Sequence, residues 1–285
     1  MQHKIQTAKT LLEALPFIQK FNGSKIVIKY GGSAQINPEL KKMFARDILL
    51  LQLVGIKPVV VHGGGKRINE LLAQLNIKTD FIDGSRVTTY EAIKIVEMVL
   101  SGEINKEIVS LLNQFDAKAI GISGKDANCI KAVPKEGGKY GYTGYIDHVN
   151  PDVINNLIRE NFIPVIAPIA SSYDDDHPGF NINADLMACK VASAIGARKI
   201  LFLTDTAGVL DKDKKLIHSL SFDDVEKFKK DGTISGGMIP KVDACIEAIK
   251  KGVKKAHIID GRVEHSLLLE LFTSEGIGTQ ILEKS

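Results

Sequence analysis

The chain has 285 residues, of which 44% are hydrophobic and 25% charged, so it can bury the core of one large α/β domain or of two lobes. Its 37 basic and 34 acidic residues are dispersed, and no long basic tract argues for a nucleic-acid partner. The charged N-terminus lacks the apolar region of a signal peptide and no apolar stretch is long enough to span a bilayer, so neither secretion nor membrane spanning is predicted.

Cys129, Cys189 and Cys245 lie far apart in the sequence. Their spacing excludes a paired-cysteine metal clip, and their odd number does not suit a disulfide framework. Reduced thiols in a cytoplasmic protein are the simpler interpretation.

The N-terminal segment places apolar side chains at helical spacing over residues 7–21, and Pro16 is expected to kink this helix. One interpretation is an ordinary packing helix, and the other is an oligomer contact. Both interpretations remain open on the pattern alone.

Short apolar runs rich in β-branched residues alternate with helical patterns along the rest of the chain. Six runs are typical of strands buried on both faces, at residues 26–30, 57–65, 119–123, 163–170, 199–205 and 256–261. The helical patterns lie at residues 39–55, 67–76, 89–115, 151–160, 184–196 and 241–252. This alternation predicts an α/β fold, a three-layer αβα sandwich with a mostly parallel central sheet.

Two segments depart from this alternation. Residues 129–149 alternate and turn like a β-hairpin set on the edge of the sheet. Residues 171–181 are polar and turn-rich, so we take them as the boundary between two lobes. After an N-terminal helix of residues 1–21, the lobes are predicted at residues 22–175 and 176–285.

A glycine-rich turn follows each of the first two predicted strands. Gly31 and Gly32 come after Lys29, and Gly63–Gly65 come after His62. Because ligands of α/β proteins gather at the carboxyl ends of parallel strands, the N–H groups of these turns are candidates for binding an anion. A tight turn without a ligand is the alternative for either turn taken singly. The dinucleotide and Walker patterns do not occur, and His62 fits a structural role better than acid-base catalysis.

Polar residues crowd the start of the second half. Asn181, Asn183 and Asp185 lead into a helix, where such residues are helix caps by default. Residues 174–177, Asp-Asp-Asp-His, fit a solvated loop better than a metal site. The pattern shows no paired carboxylates that would form a metal cage.

Two further turns in the second half carry polar residues. Thr204 and Asp205 end a strand, after which Gly208 turns the chain. Gly237 and the glycine before it precede Lys241 at the start of a helix. A lysine there opposes the helix dipole, and the arrangement makes sense if an anion lies between them.

Six motifs occur in order across nearly the whole chain: IVIKYGGSA, VVVHGGG, GSRVT, NINAD, LTDTAGVL and GGMIPK. Together they resemble the amino acid kinase superfamily and, within it, the acetylglutamate kinases. The resemblance implies that the first lobe binds N-acetyl-L-glutamate and forms a dimer, while the second lobe binds ATP. It also implies that the product is N-acetyl-L-glutamyl 5-phosphate, in arginine biosynthesis. Mg²⁺ would be held mainly by the nucleotide phosphates.

The resemblance further implies roles for individual residues. Lys29 and Lys241 flank the transferred phosphoryl group, with Asp185 holding both ammonium groups, while Gly32 and Gly64 donate backbone N–H groups to its oxygens. The residues implied in substrate binding are Gly64, Gly65, Arg86 and Asn181, where the guanidinium suits a carboxylate. Those implied in nucleotide binding are Lys29, Gly31, Thr204, Asp205, Gly208, Gly237, Met238 and Lys241.

Both ends of the chain resemble the arginine-inhibited subset of this family. That resemblance implies a hexamer of three dimers joined by interlaced N-terminal helices, with L-arginine as feedback inhibitor. Phe17 stands where that subset often has a tyrosine, so a hydroxyl contact with the ligand would be missing. The candidate effector residues are Lys199, His265, Glu270, Gly276 and Gly278. The alternative for the last segment is a C-terminal amphipathic helix with a glycine turn, and a nitrogen-regulatory signal protein is a further candidate partner.

Two alternative functions remain for a chain with this fold. A carbamate, glutamate 5- or uridylate kinase would share the fold, but the positions of GSRVT and NINAD favour the acetylglutamate kinases. A non-catalytic arginine-sensing subunit would share it too, and the presence of Lys29, Asp185 and Lys241 argues against that rival.

Overall fold

The computed structural model of the protein describes residues 1–284, in which strands and helices alternate. The α-helices of this range are α1 (Gln2–Phe21), α2 (Pro38–Leu53), α3 (Gly65–Gln74), α4 (Tyr90–Glu97), α5 (Asn105–Gln114), α6 (Asp152–Arg159), α7 (Ala184–Ala194), α8 (Phe222–Lys230), α9 (Met238–Lys250) and α10 (Ser266–Phe272). The strands are β1 (Lys25–Tyr30), β2 (Lys57–His62), β3 (Phe81–Ile82), β4 (Ser85–Arg86), β5 (Ala119–Ser123), β6 (Ile130–Pro134), β7 (Gly144–Val149), β8 (Ile163–Ala167), β9 (Ile169–Ala170), β10 (Phe180–Asn181), β11 (Lys199–Thr204), β12 (Ser219–Leu220), β13 (Lys255–Asp260) and β14 (Thr279–Ile281).

Eight of these strands form one central sheet in the order β12-β14-β13-β11-β1-β2-β8-β5. Every neighbouring pair is parallel except β13 and β14. The register of β1 pairs Val27 with Val59 of β2 on one side and with Ile200 of β11 on the other. The predicted mostly parallel sheet is confirmed.

Helices cover both faces of the sheet. Val27 points into a core on one face, where α6, α7, α8 and α9 contribute side chains such as Ile154 and Val242. Its neighbours Ile26 and Ile28 point to the other face, where α2, α3, α4, α5 and α10 contribute side chains such as Ile48. Because successive strand residues alternate between faces, a run of apolar residues is needed to serve both cores. The three-layer αβα architecture is therefore confirmed.

The two halves of the chain lie on opposite sides of β1. Strands β2, β5 and β8 come from the first half, whereas β11 to β14 come from the second. The order of the strands thus reverses at β1, and the loops after β1, β2 and β11 meet at one edge. Such a switch point is where open α/β sheets bind ligands.

Two local features differ from the predictions. The helix expected over residues 89–115 is interrupted by a π-helical stretch, Met98–Ile104, between α4 and α5. The hairpin expected over residues 129–149 forms from β6 and β7, but its predicted place on the edge of the central sheet is wrong. It is a separate two-stranded sheet because Ala132 donates its N–H to the Ser171 carbonyl, away from the edge strand β5.

The N-terminal helix extends over Gln2–Phe21 and continues through Pro16. Leu11, Leu12 and Leu15 on this helix are exposed. None of the described helices is long and apolar enough to cross a membrane.

Candidate active site

A cavity of about 540 Å³ opens at the carboxyl ends of β1 and β2. Its wall includes these predicted site residues: Lys29, Gly31, Gly32, Gly64, Gly65 and Asp205. Asp205 directly follows β11, so three neighbouring parallel strands contribute to the wall. The cavity therefore lies at the switch point of the sheet.

The two glycine turns leave backbone donors in this wall. Gly32 has a φ of +67°, a left-handed conformation that favours glycine. Gly64 has an extended φ of 177° and immediately precedes α3. Within residues 1–284, the N–H groups of Gly32 and Gly64 donate to no other group. An anion in the cavity would supply the acceptor that both groups lack.

Asp205 braces the first glycine turn from the second half of the chain. The Ser33 N–H donates a hydrogen bond of 2.7 Å to Asp205 Oδ1. A Cβ atom at Gly32 would lie 2.6 Å from the same oxygen. Glycine at this position therefore allows the carboxylate to approach the turn closely.

Two lysines from opposite halves of the chain meet at one carboxylate. Lys29 Nζ lies 3.1 Å from Asp185 Oδ1, and Lys241 Nζ donates a hydrogen bond of 3.1 Å to Asp185 Oδ2. Burial acts to raise the pKa of Asp185, but the charges of Lys29 and Lys241 outweigh it and hold the pKa below its ordinary value. Asp185 thus stays ionised and keeps two ammonium groups side by side.

The start of α7 sets the position of Asp185. Asn183 is the N-cap, and its side-chain oxygen accepts the backbone N–H groups of Asp185 at 2.9 Å and Leu186 at 3.1 Å. An Asn cap satisfies donors that the first turn would otherwise leave unpaired. The cap therefore fixes the first turn of the helix, from which the Asp185 carboxylate reaches both lysines.

Arg86 does not line the main cavity. It is buried, and its guanidinium donates to Asn69 Oδ1 at 2.6 Å and to Thr79 Oγ1 at 2.9 Å. Burial lowers the pKa of Arg86 below its ordinary value. Within residues 1–284 no carboxylate lies within 4.0 Å of Arg86. Its charge therefore has neutral partners only.

A chain of hydrogen bonds connects Arg86 with Asn181. The Thr143 hydroxyl donates to the Arg86 carbonyl at 2.6 Å and lies 2.8 Å from the Thr88 hydroxyl. Asn181 Nδ2 donates to Thr88 Oγ1 at 3.1 Å. These two predicted substrate residues are thus held in one network, through the threonine of the GSRVT motif.

The remaining predicted nucleotide residues are dispersed. Thr204 Oγ1 donates to the Thr206 carbonyl at 3.0 Å. Gly208 has a φ of +145°, and a Cβ atom there would lie 2.5 Å from Thr279 Oγ1. Gly237 is exposed just before α9, and Met238 is the first residue of that helix. None of these four lines the main cavity.

A second, polar cavity of about 210 Å³ brings most of the effector candidates together. Its wall includes Lys199, Glu270, Gly276, Gly278 and Phe17. It lies at the amino ends of β11 and β13, beside the last turns of α1. Burial lowers the pKa of Lys199 to about 8, although Glu270 acts in the opposite direction.

Glu270 organises this second cavity. Its Oε2 accepts the N–H groups of Ile277 at 2.9 Å and Gly278 at 3.1 Å, and its Oε1 lies 2.5 Å from His257 Nδ1. His257 was not among the predicted effector residues. A histidine inside the apolar run of β13 was the available signal, because a buried polar residue in a strand needs a partner.

His265 does not join the other effector candidates. Its Nδ1 lies 2.6 Å from Asp47 Oδ1 of α2, and it does not line the second cavity. His265 therefore lies apart from Lys199 and Glu270 in the structure. The reason is the turn before α10, where His265 adopts a left-handed φ of 54° and contacts α2 instead.

Comparisons with known proteins define the class of this chain. Residues 24–260 match the amino acid kinase family. The chain is 69% identical over 282 residues to the acetylglutamate kinase of a Nitratiruptor species, covering 99% of each chain. It is 67% identical over 281 residues to the acetylglutamate kinase of Sulfurimonas denitrificans, again covering 99% of each.

Solved structures share the fold at lower identity. The N-acetylglutamate synthase of Neisseria gonorrhoeae, complexed with coenzyme A and N-acetyl-glutamate, aligns with a TM-score of 0.85 at 24% identity, covering 98% of this chain and 64% of that one. Carbamate kinase from Giardia lamblia, bound to AMP-PNP, aligns with a TM-score of 0.70 at 17% identity, covering 92% of this chain and 99% of that one. At such identity the likeness concerns the fold alone.

The chain belongs to the amino acid kinase family. Over its full length it is similar to proteins named acetylglutamate kinase. The resemblance that the six motifs indicated, to the amino acid kinase superfamily and within it to the acetylglutamate kinases, is confirmed.

Proposed function

We propose that the protein transfers the γ-phosphoryl group of ATP to the γ-carboxylate of N-acetyl-L-glutamate, forming N-acetyl-L-glutamyl 5-phosphate in arginine biosynthesis. One observation carries this proposal: Asp185 holds two ammonium groups together. Its Oδ1 lies 3.1 Å from Lys29 Nζ, and its Oδ2 lies 3.1 Å from Lys241 Nζ. The names of the full-length relatives support the choice of substrate. A cytoplasmic location follows from that role as part of the proposal.

The chemistry requires positive charge more than proton transfer. A γ-carboxylate has an ordinary pKa of about 4.3, so at neutral pH the nucleophile is already ionised and needs no general base. The obstacle is bringing it to a polyphosphate of the same sign. Lys29 and Lys241 reduce this repulsion, and the unpaired N–H groups of Gly32 and Gly64 stabilise charge on the transferred phosphoryl oxygens.

ATP and Mg²⁺ fit the groups that are present. The lysines and glycine N–H donors suit phosphate oxygens, and Mg²⁺, held mainly by the nucleotide, would neutralise part of the phosphate charge. Asp205 holds the first glycine turn in the shape that this contact needs, through the hydrogen bond from the Ser33 N–H. The predicted nucleotide residues outside the wall of the main cavity, Thr204, Gly208, Gly237, Met238 and Lys241, belong to the same proposal.

Arg86 and Asn181 are proposed to bind the other end of the substrate. The buried guanidinium of Arg86 has only neutral hydrogen-bond partners. A carboxylate would bind it more strongly, because a charge-assisted bidentate pair is stronger than hydrogen bonds to neutral oxygens. The α-carboxylate of N-acetyl-L-glutamate would supply this partner, with Asn181 and Gly65 beside it. The lobe limits of residues 22–175 and 176–285 belong to the same proposal.

The activity is tested by a coupled ADP-release assay with N-acetyl-L-glutamate, L-glutamate and carbamate as alternative acceptors. We expect turnover with N-acetyl-L-glutamate only. Turnover with L-glutamate or carbamate instead would assign the chain to another kinase of the family. No turnover with any acceptor, at a purity and stability shown by a cooperative thermal transition, would favour a non-catalytic arginine sensor.

We also propose that L-arginine inhibits the enzyme by binding in the second cavity. Lys199 and Glu270 are charges of opposite sign in its wall, as a ligand with both a carboxylate and a guanidinium requires. Phe17 of α1 reaches the same wall. The exposed leucines of α1 suit burial against the same helix of a neighbouring subunit, and we propose a hexamer of three dimers joined in this way.

A further inference from the structure

The carbonyl group of Gly63 is held by two side chains from different parts of the chain. His62 Nδ1 lies 3.0 Å from the Gly63 oxygen, and Gln35 Nε2 donates to the same oxygen at 3.0 Å. The Gly63 N–H donates to the Tyr30 carbonyl at 3.0 Å. The C=O and the N–H of Gly63 are therefore both fixed by hydrogen bonds, although the proposed mechanism gives Gly63 no role.

The surroundings of His62 determine which ring nitrogen carries the proton. Asn105 Nδ2 donates to the Val165 carbonyl at 2.9 Å, and Lys106 Nζ donates to Asn105 Oδ1 at 3.1 Å. These two contacts orient the Asn105 amide, so its Nδ2 must be the donor toward His62 Nε2 at 3.2 Å. His62 Nε2 is then the acceptor, and Nδ1–H donates to Gly63.

The ring keeps this form over the working pH range. His62 is completely buried, and burial lowers its pKa to about 4. A neutral imidazole with one nitrogen accepting and the other donating is therefore the species present at neutral pH.

The geometry of the peptide bond transmits this constraint to Gly64. A trans peptide group is planar, and its C=O and N–H point in opposite directions. The Gly63 carbonyl and the Gly64 N–H belong to one such group. Fixing the carbonyl toward His62 and Gln35 therefore aims the Gly64 N–H away from them, and that N–H has no acceptor within residues 1–284.

We propose that His62 and Gln35 are positioning residues, which act through the Gly63–Gly64 peptide to aim the Gly64 N–H at the transferred phosphoryl group. The inference rests on the proposed kinase function and on the role of Gly64 in it. Gln35 ends the 3₁₀ turn Gly32–Gln35, which carries the other N–H donor. Its hydrogen bond thus fixes the two donor-bearing turns relative to each other.

Gln35→Leu is the decisive variant because Gln35 is only partly buried, and its loss should not unfold the protein. We expect kcat to fall about tenfold or more, with KM for ATP and N-acetyl-L-glutamate changed less than about threefold, because a misaimed donor weakens the transition state most. Gln52→Leu is the matched control. Gln52 also donates its side-chain amide to a backbone carbonyl, that of Asn161 at 2.7 Å, but at the far end of α2.

A binding measurement distinguishes the orientation of the Gly64 N–H by Gln35 from a general structural effect of the substitution. The probe is MgADP with aluminium fluoride and N-acetyl-L-glutamate, in which the aluminium fluoride mimics the phosphoryl group in the transition state. MgADP alone is the reference. For Gln35→Leu we expect the affinity for the fluoride complex to fall by the same factor as kcat, with the affinity for MgADP unchanged. A rise in KM at constant kcat would mean that Gln35 binds a substrate directly, and it would overturn the proposal.

His62 is tested by an ordered pair of variants. His62→Asn can place an amide N–H near the position of Nδ1–H, whereas His62→Leu cannot, so the asparagine variant should retain the higher kcat. The reverse order, in variants with equal thermal midpoints, would overturn the role of His62. If the wild-type protein does not phosphorylate N-acetyl-L-glutamate, the proposed function fails. If it does and Gln35→Leu matches Gln52→Leu, only the positioning role fails.

Discussion

The two cavities lie at opposite ends of strand β11 and are built in different ways. Lys199 begins β11 in the wall of the second cavity, and Asp205 follows the other end of that strand in the wall of the main cavity. The main cavity presents backbone N–H groups from two glycine turns, each contiguous in sequence. The second cavity instead depends on side chains from α1, β11, β13 and the segment around Glu270. Under the proposed function, the main cavity would bind anions through backbone donors, whereas the second cavity would bind L-arginine through charged side chains.

The largest expected effect comes from removing one of the two lysines that contact Asp185, of which Lys29 lines the main cavity. In Lys29→Ala and Lys241→Ala, we expect kcat to fall about 10²- to 10³-fold, with little change in KM for N-acetyl-L-glutamate, because their charge acts where transition-state charge accumulates. Steady-state kinetics measures both constants. Lys42→Ala, which removes an exposed ion pair with Glu39, is the control. A rise in KM at unchanged kcat would contradict this role.

A methyl group at the second glycine turn is the next test. A Cβ atom at Gly64 would lie 2.5 Å from Ile104 Cδ1 and 2.7 Å from Leu100 Cδ2, so either these side chains or the turn must shift. Both side chains are packed in the core, and we expect Gly64→Ala to displace the turn with its N–H donor and to lower kcat about 10²-fold. In Gly102→Ala, where a Cβ atom meets nothing within 4 Å, kcat should be unchanged. Equal activity of the two variants would argue that the Gly64 N–H is not used.

Removal of the N-terminal helix tests the second cavity. Deleting residues 1–20 takes away Phe17 and the exposed leucines of α1. We expect dimers that remain active but are inhibited little by L-arginine. Light scattering gives the oligomeric state, and the ADP-release assay gives the inhibition. A truncated protein that stays hexameric would contradict the proposed role of α1.

The smallest expected effect is on the pH dependence of arginine inhibition. Burial lowers the pKa of Lys199 to about 8, so its ammonium charge is lost as the pH rises through that value. If Lys199 binds the ligand carboxylate, the arginine concentration for half inhibition should rise up to about tenfold between about pH 7 and pH 9. Lys199→Arg, which stays charged, should flatten the profile. An unchanged profile in the wild-type protein would exclude a charged contact from Lys199.

Local patterns were sufficient for the main cavity but not for the second one. Gly31–Gly32 and Gly63–Gly65 follow apolar strand runs directly, so their place at the carboxyl ends of neighbouring strands could be predicted. The effector candidates could not be sorted in the same way. His257 and His265 both lie near the C-terminus, yet His257 faces Glu270 while His265 contacts Asp47. That choice depends on the direction of the turn before α10.

The sequence by itself determined the alternation of strands and helices, the mostly parallel sheet and the two glycine turns, because each depends on local periodicity and on backbone freedom. The tertiary structure places Asp185 beside both Lys29 and Lys241, as the family resemblance implied. It alone decided that the β6–β7 hairpin leaves the central sheet, and that Gln35 and His62, which Asn105 orients, both contact the Gly63 carbonyl. Such contacts join residues far apart in the chain. They follow from how the two halves pack around β1, which no local pattern encodes.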